Sequence, residues 1–375
     1  MKRVLSFILS FFILFGVADA ADYRAVLVAD IDSGRVLYQE NANELNYPAS
    51  LTKIMTLYLT FDALEHKRLH LDDYLIVSQY ATEAQPVKLG LTAGSKIKVE
   101  DAIKAVAVHS ANDVARVLAE NLKGGKEGNF ADLMTRVANE IGLQHTNFEN
   151  SSGLPNDDHM STARDIALLS MAVYKHFPQY WKYFGIKSWT YNGKTYTNGN
   201  RLLGTYPGCD GMKTGFTNKS RYSLVATAVR DGYHLIAVVL GAENKDVRAS
   251  VATKMLNLGF SRIGGANYNI PQQAHTVPVN NTNPIAKYAT DKRPDANINT
   301  TVSYGTVGVQ CGAFSNFQSA ENQARKVSKV TGLNADIQQN ENGLYRVRIN
   351  GLSEGRAQNA KNIAGANGID CYVFH

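Results

Sequence analysis

The chain has 375 residues, 44% of them hydrophobic, with nine histidines, three cysteines and a formal charge of +6. This length exceeds one small domain and the apolar share is ample for packed cores, whereas so mild and dispersed a positive balance does not argue for nucleic-acid binding. The histidines are read as forming no metal site, no paired-cysteine string or Gly-rich phosphate loop occurs, and no cofactor is expected.

Residues 1–20 read as a secretory signal peptide. Lys2 and Arg3 lead an apolar run over residues 4–17, and Ala18-Asp19-Ala20 supplies small residues for cleavage before Ala21. The run is short for a bilayer span and no later segment approaches that length, so no integral span is expected in the mature chain; a retained anchor is the alternative.

Next comes Ser50-Leu51-Thr52-Lys53. Pro48 and Ala49 precede a run over residues 51–64 in which Ile54, Leu57, Tyr58, Phe61 and Leu64 recur at helical spacing. Ser50 therefore opens a helix, and Lys53, nearly one turn on, shares its face within hydrogen-bonding reach. Free N–H groups and the positive dipole end favour negative charge developing beside Ser50. An ordinary N-cap with a solvated lysine is the alternative. Ser95-Lys96-Ile97-Lys98 fits the same Ser-x-x-Lys string, but lies in an alternating stretch that reads as a strand edge.

Helical patterns over residues 99–108 and 113–122 put Ser110 and Asn112 on the connection between two helices, where a hydroxyl and a carboxamide can relay a proton and hold an amide. The same pair also serves as a plain turn and cap, and His109 reads as a packed helix-end residue. Further on, Asp210-Gly211-Met212-Lys213-Thr214-Gly215-Phe216-Thr217 precedes strand-like runs at 222–229 and 234–240, a hairpin around Arg230-Asp231-Gly232. Lys213 and Thr214 offer a cation and a hydroxyl for a carboxylate, and Gly215 leaves room for it. A helix over residues 246–258 follows.

The three strings in this order, with Tyr47-Pro48-Ala49, Gly153-Leu154, Ser161-Thr162-Ala163 and Asp210-Gly211 around them, resemble the penicillin-binding serine transferases, and within them the low-molecular-mass D-alanyl-D-alanine carboxypeptidases. The likeness implies an α/β (α+β) fold, an antiparallel sheet flanked by helices plus a helical region, over residues 21–262. It implies that Ser50 attacks the carbonyl between two D-alanines with Lys53 as base, that Ser110 passes a proton to the leaving amine, and that Asn112 binds the substrate amide. It further implies that Lys213 bridges Ser110 and substrate, that Thr214 and Gly215 receive the terminal carboxylate, and that the Ser50 and Phe216 N–H groups form the oxyanion hole. Many relatives carry histidine where this chain has Phe216, which puts that side chain's role in doubt but not its N–H. Arg248 adds positive field near the carboxylate or is a solvated helix charge. Peptidoglycan pentapeptide stems are the implied substrate and β-lactam antibiotics the implied inhibitors. A DD-endopeptidase uses the same residues. A β-lactamase needs a further group for deacylation, for which Glu149 is a candidate by position alone. A non-catalytic wall-binding protein is a third reading.

Residues 263–303 hold four of the nine prolines among many asparagines and read as an extended linker. Residues 304–375 read as β-α-β-β-α-β: strands near 306–314, 335–339, 344–349 and 369–374, helices near 319–330 and 354–364. Val309-Gln310-Cys311-Gly312-Ala313-Phe314 and Tyr345-Arg346-Val347-Arg348 resemble the sporulation-related repeat (SPOR) domain. That likeness implies a ferredoxin-like module binding glycan strands stripped of peptides, and hence a periplasmic, wall-associated protein. By strand alternation Val309, Cys311, Tyr345, Val347, Cys371 and Val373 face the helices, while Gln310, Arg346, Arg348, Tyr372 and Phe374 share the outer face as candidate glycan-binding residues; a merely solvated face is the alternative. In a ferredoxin-like order Cys311 and Cys371 lie on neighbouring strands, so they form either a disulfide or two buried thiols. Cys209 reads as an unpaired packing residue.

Overall fold

The computed structural model describes residues 22–264 and 307–375, except 332, 334, 341 and 353. The signal-peptide segment and nearly all of the expected linker lie outside the described residues. Two compact units divide the chain, the first ending and the second beginning within residues 265–306.

The first unit starts with β1 (Ala25–Asp30) and β2 (Val36–Glu40), then α1 (Lys53–Glu65), β3 (Tyr74–Ile76), α2 (Gln79–Thr82), β4 (Lys96–Lys98), α3 (Val99–Lys104), α4 (Asn112–Leu122), α5 (Glu127–Glu140) and α6 (Ala163–His176). The hairpin β5 (Ser188–Tyr191)–β6 (Lys194–Thr197) follows, then β7 (Cys209–Thr217), β8 (Arg221–Arg230), β9 (Tyr233–Ala242) and α7 (Lys245–Gly264). Helix α7 thus continues two residues into the segment expected as linker. The main sheet is antiparallel in the order β2-β1-β9-β8-β7. Asp231 and Gly232 take positive φ of 52° and 80° between β8 and β9, the requirement of a two-residue hairpin turn matching strand twist.

Both sheet faces are covered. Val26, Val28, Leu224, Ala226, Ala237 and Val239 pack against Val251, Ala252 and Leu256 of α7. Alternate residues, Leu27, Ala29, Val225, Ile236 and Val238, join the core built around α1. Burial on both faces is why β8 and β9 read as nearly unbroken apolar runs. Helix α1 is buried along its whole length except Glu65. It packs against α4, α5 and α6, so the helical spacing in the sequence marks a central pillar rather than a surface helix with one wet face. Polar Thr56 and Asp62 survive there because each has an internal partner: Thr56 Oγ1 donates to the Ser151 carbonyl at 2.6 Å, and Asp62 pairs with Arg68.

The second unit contains β10 (Val307–Phe314), α8 (Phe317–Thr331), β11 (Asp336–Gln339), β12 (Tyr345–Leu352), α9 (Glu354–Ala366) and β13 (Tyr372–Phe374). Its sheet order, β11-β12-β10-β13 with antiparallel neighbours, is ferredoxin-like. Val309, Cys311, Val347, Ile349 and Cys371 form one core with Ala320, Val327, Ala357 and Ala360 of the helices. A disulfide joins Cys311 to Cys371 across 60 residues.

Candidate active site

Ser50 lies in a 3-10 turn, Ala49–Thr52, that feeds directly into α1 at Lys53. Two glycines let other chain segments approach this turn. A Cβ on Gly153, whose φ is +80°, would fall 1.8 Å from the Ala49 carbonyl oxygen, and one on Gly215 would fall 3.0 Å from that of Pro48.

Lys53 is fully buried. Its Nζ lies 3.0 Å from Ser50 Oγ, 2.7 Å from Asn112 Oδ1 and 2.6 Å from the Ser152 carbonyl oxygen. The last two atoms only accept, so in the neutral amine they take both N–H groups and leave the lone pair to the Ser50 hydroxyl. Burial first, then the Lys213 cation, hold Lys53 well below the usual lysine range, while Glu127 and Asp113 act in the opposite sense.

The helix expected to run to Val108 changes character before that. After Lys104 the chain makes a π turn, Ala105–His109, and Ser110 follows with φ of 65°, an interruption of the kind found at functional positions. Ser110 Oγ then accepts from Lys213 Nζ at 2.9 Å, and Lys213 donates also to the Thr214 carbonyl at 3.0 Å. Lys213 is buried in edge strand β7, and burial, with the Arg248 charge, pushes it down to about 7. Asn112 is engaged at both ends: its Nδ2 donates to the Gln85 carbonyl at 2.8 Å, so a substrate amide would meet the second lone pair of Oδ1. Asp113, wholly buried, accepts from Leu89 and Gly90 N–H at 3.1 and 3.0 Å and fixes the segment beside Asn112.

Arg248 is no solvated helix charge. It is 5% exposed, burial lowers it to about 10, its Nη2 donates to the Gly199 carbonyl at 3.2 Å, and its Nε has no partner among the described residues. A Cβ on Gly199 would fall 2.9 Å from Thr214 Oγ1, so Arg248 and Thr214 border one spot. Phe216 is 49% exposed, its ring 4.3 Å from that of Tyr222.

The other candidates separate from this cluster. Ser95 Oγ donates to the Thr92 carbonyl and Lys98 pairs with Asp72, so the second Ser-x-x-Lys match is structural. Glu149 is exposed and accepts from Asn147. Burial pushes the Cys209 thiol up to about 11, His109 packs on Tyr196 at 4.3 Å, and His159, lowered to about 3 by burial, bonds Thr52. His66 and His70 stand four apart, a spacing that can bind metal, but each faces a carboxylate, Asp62 and Asp73. The functional groups that the sequence reading missed are the Ser152 carbonyl and the Glu127 carboxylate behind it. Ser152 adjoins the Gly153-Leu154 string, the one signal available; Glu127 reads only as an acid at a helix start.

In the second unit Gln310 faces Arg348 and Tyr372 across its two neighbouring strands. Arg348 Nε donates to Gln310 Oε1 at 2.8 Å, and its guanidinium lies 4.5 Å from the Phe374 ring centroid. Gln310, expected in the open, is only 5% exposed, whereas Tyr372 is 52% exposed. Arg346 sits farther along β12, opposite Gln338 and, beyond a bulge, Ala313.

A sheet backed by one helix, with a buried helix led by the Ser50 turn on its other face, has the architecture of the penicillin-binding proteins. Penicillin-binding protein D2 of Listeria monocytogenes, solved in its ampicillin-bound form, aligns at a TM-score of 0.59 with 31% identity, over 64% of this chain and 98% of that one. The chain belongs to the D-alanyl-D-alanine carboxypeptidase family, which residues 17–244 match, and residues 303–374 match the SPOR domain. Curated relatives include the carboxypeptidases DacC of Escherichia coli, 38% identical, and DacF of Bacillus subtilis, 34% identical, each over 65% of this chain. The chain spans 62% and 63% of their respective lengths.

Proposed function

We propose that the chain is a serine-type D-alanyl-D-alanine carboxypeptidase that removes the terminal D-alanine from peptidoglycan pentapeptides. The observation that carries this reading is Lys53, whose two fixed acceptors leave its lone pair facing Ser50. Ser50 Oγ attacks the penultimate D-alanine carbonyl as Lys53 takes its proton. The oxyanion is held by the Ser50 and Phe216 N–H groups, and the terminal carboxylate by Thr214 and Arg248 beside Gly215. Asn112 holds the substrate amide. Collapse breaks the C–N bond, with a proton delivered to the departing amine through Ser110 from Lys213; the proton that Lys53 took then replaces it on Lys213, which leaves Lys53 neutral. Water then hydrolyses the ester, with Lys53 again as base.

β-Lactams acylate the same serine on this reading, as the ampicillin-bound Listeria relative supports. A β-lactamase is less well supported, since Glu149, its candidate deacylating group, is exposed and tied to Asn147. The signal-like N-terminus and the SPOR match support work outside the inner membrane, with Arg346, Arg348 and Tyr372 as the proposed glycan-binding face and buried Gln310 bracing Arg348 from within it; no helix among the described residues is long and apolar enough to cross a membrane. Incubation with a pentapeptide muropeptide tests the reading: D-alanine is released by the native chain and not by Ser50→Ala.

A further inference from the structure

One largely buried polar cluster takes no part in the reaction as proposed, and it lies at the start of β7. That strand is the edge of the main sheet and pairs with β8 alone. Lys213 stands opposite Val225, which faces the α1 core, and Thr214 opposite Leu224, which faces α7. A slip of one residue would therefore exchange their faces and turn Lys213 away from Ser110. The register does shift once, just ahead of these residues. Cys209 pairs with Ala228 and Gly211 with Thr227, so Asp210 is the extra residue of a bulge, a device that re-aims side chains beside active sites.

Three elements supply donors to the Asp210 carboxylate. Trp181 Nε1, in the 3-10 turn Pro178–Gly185, and Thr227 Oγ1 of β8 each donate at 2.7 Å, and His234 Nε2 of β9 lies at 3.1 Å. His234 is 4% exposed, its ring nearly perpendicular to those of Tyr174 and Trp181 at 4.7 and 5.7 Å, and its Nδ1 has no partner among the described residues. The bulge backbone is fastened as well: Asn200 Nδ2 donates to the Gly211 carbonyl at 2.7 Å, and a Cβ on Gly185 would fall 2.9 Å from the Asp210 carbonyl oxygen. A slip of one residue would carry the carboxylate about 3.3 Å along the strand and away from all three donors at once.

We propose that Asp210 is a positioning residue that fixes the register of β7, so that Lys213 meets Ser110 while Thr214 faces the Arg248 side of the sheet. The assignment rests on the reaction proposed above and adds how its carboxylate-binding strand is aligned.

Two substrates test it, an acyl-D-alanyl-D-alanine and its C-terminal amide, which lacks the negative charge. The ratio of their kcat/KM values measures recognition of the carboxylate, and a loss of general stability does not move it. In Asp210→Ala the ratio should fall about tenfold, the worth of one hydrogen bond to a charged group. Thr227→Val, which removes one donor and keeps the shape, should give a smaller fall in the same direction, and Thr227→Ser should restore the native ratio. A native ratio in folded Asp210→Ala or in Thr227→Val, with both substrates slowed equally or not at all, overturns the proposal. Kd values for the two peptides, measured in a Ser50→Ala background with and without Asp210→Ala, read the same ratio without turnover. A fall in the Kd ratio, with no D-alanine released by the native chain, would keep the positioning role and defeat the reaction, whereas an unchanged Kd ratio defeats the positioning role.

Discussion

The Glu127 carboxylate accepts two hydrogen bonds from Ser151, at 2.9 Å from its backbone N–H and 2.5 Å from its hydroxyl. The next carbonyl along, that of Ser152, accepts from Lys53. Glu127 is itself nearly buried and held by the Tyr80 hydroxyl at 2.7 Å and by Arg116 at 3.2 Å. Its charge also favours the ammonium form of Lys53. On the proposed mechanism Glu127 is thus a positioning residue for the base, acting through both an acceptor and a field.

Glu127→Gln should shift the pH dependence of acylation. Lys53 works as a base only when neutral, so activity falls as pH drops through its pKa. Burial and Lys213 lower that pKa; Glu127 and Asp113 raise it. Removing the Glu127 charge lowers it further and moves the acidic limb of the rate profile to lower pH. Glutamine keeps an oxygen for Ser151, so the fold should persist. Rates of labelled-penicillin acylation across pH check this; an unmoved limb would show that Glu127 acts on geometry alone.

Lys53→Ala should fold and lose acylation by at least about a thousandfold, within the range for removing a positioned base. Its removal leaves Asn112 Oδ1 and the Ser152 carbonyl without their shared donor, at a cost of about 1–3 kcal/mol. Removing a buried amine offsets part of that cost. Normal penicillin labelling of a folded Lys53→Ala protein would remove lysine from the mechanism.

Gly153→Ala is predicted to damage the Ser50 turn. A left-handed backbone costs a non-glycine residue about 1–3 kcal/mol, and the added methyl group would sit 1.8 Å from the Ala49 carbonyl oxygen, so the 49–52 turn must move. A lower Tm together with slower acylation is expected. An unchanged acylation rate would show that the turn tolerates displacement.

Reduction of Cys311–Cys371 should destabilise the second unit by about 4 kcal/mol on the loop-entropy account, since the bond closes 60 residues. Denaturant unfolding of the full chain, with and without reductant, should show one transition shifting while that of the first unit stays in place. Coincident shifts of both transitions would contradict separate folding units.

The fold was legible where chemistry demands particular residues in short strings. Ser50 to Lys53, Ser110 to Asn112 and Lys213 to Gly215 carry their proposed roles in residue type and spacing, and alternation in the strands read near 306–314 and 344–349 conveyed a sheet with one helical face. Other features depend on distant partners. The burial of α1 as far as Leu64 is hidden because Lys53, Thr56 and Asp62 look solvated until Ser152, Ser151 and Arg68 come near. The π turn before Ser110 has the same small apolar residues as a plain helix, and the burial of Arg248 depends on the segment at Gly199. Pairing of β1 with β9 joins residues some two hundred positions apart. The β5–β6 hairpin, by contrast, carried a local signal in Asn192-Gly193.

The most direct test of the central claim is mass spectrometry of the full chain during turnover of a pentapeptide-ending muropeptide. The account predicts that D-alanine is released in step with an acyl adduct that maps to Ser50 and is absent from Ser50→Ala. Release of D-alanine by Ser50→Ala, or an adduct on any other residue, would contradict it.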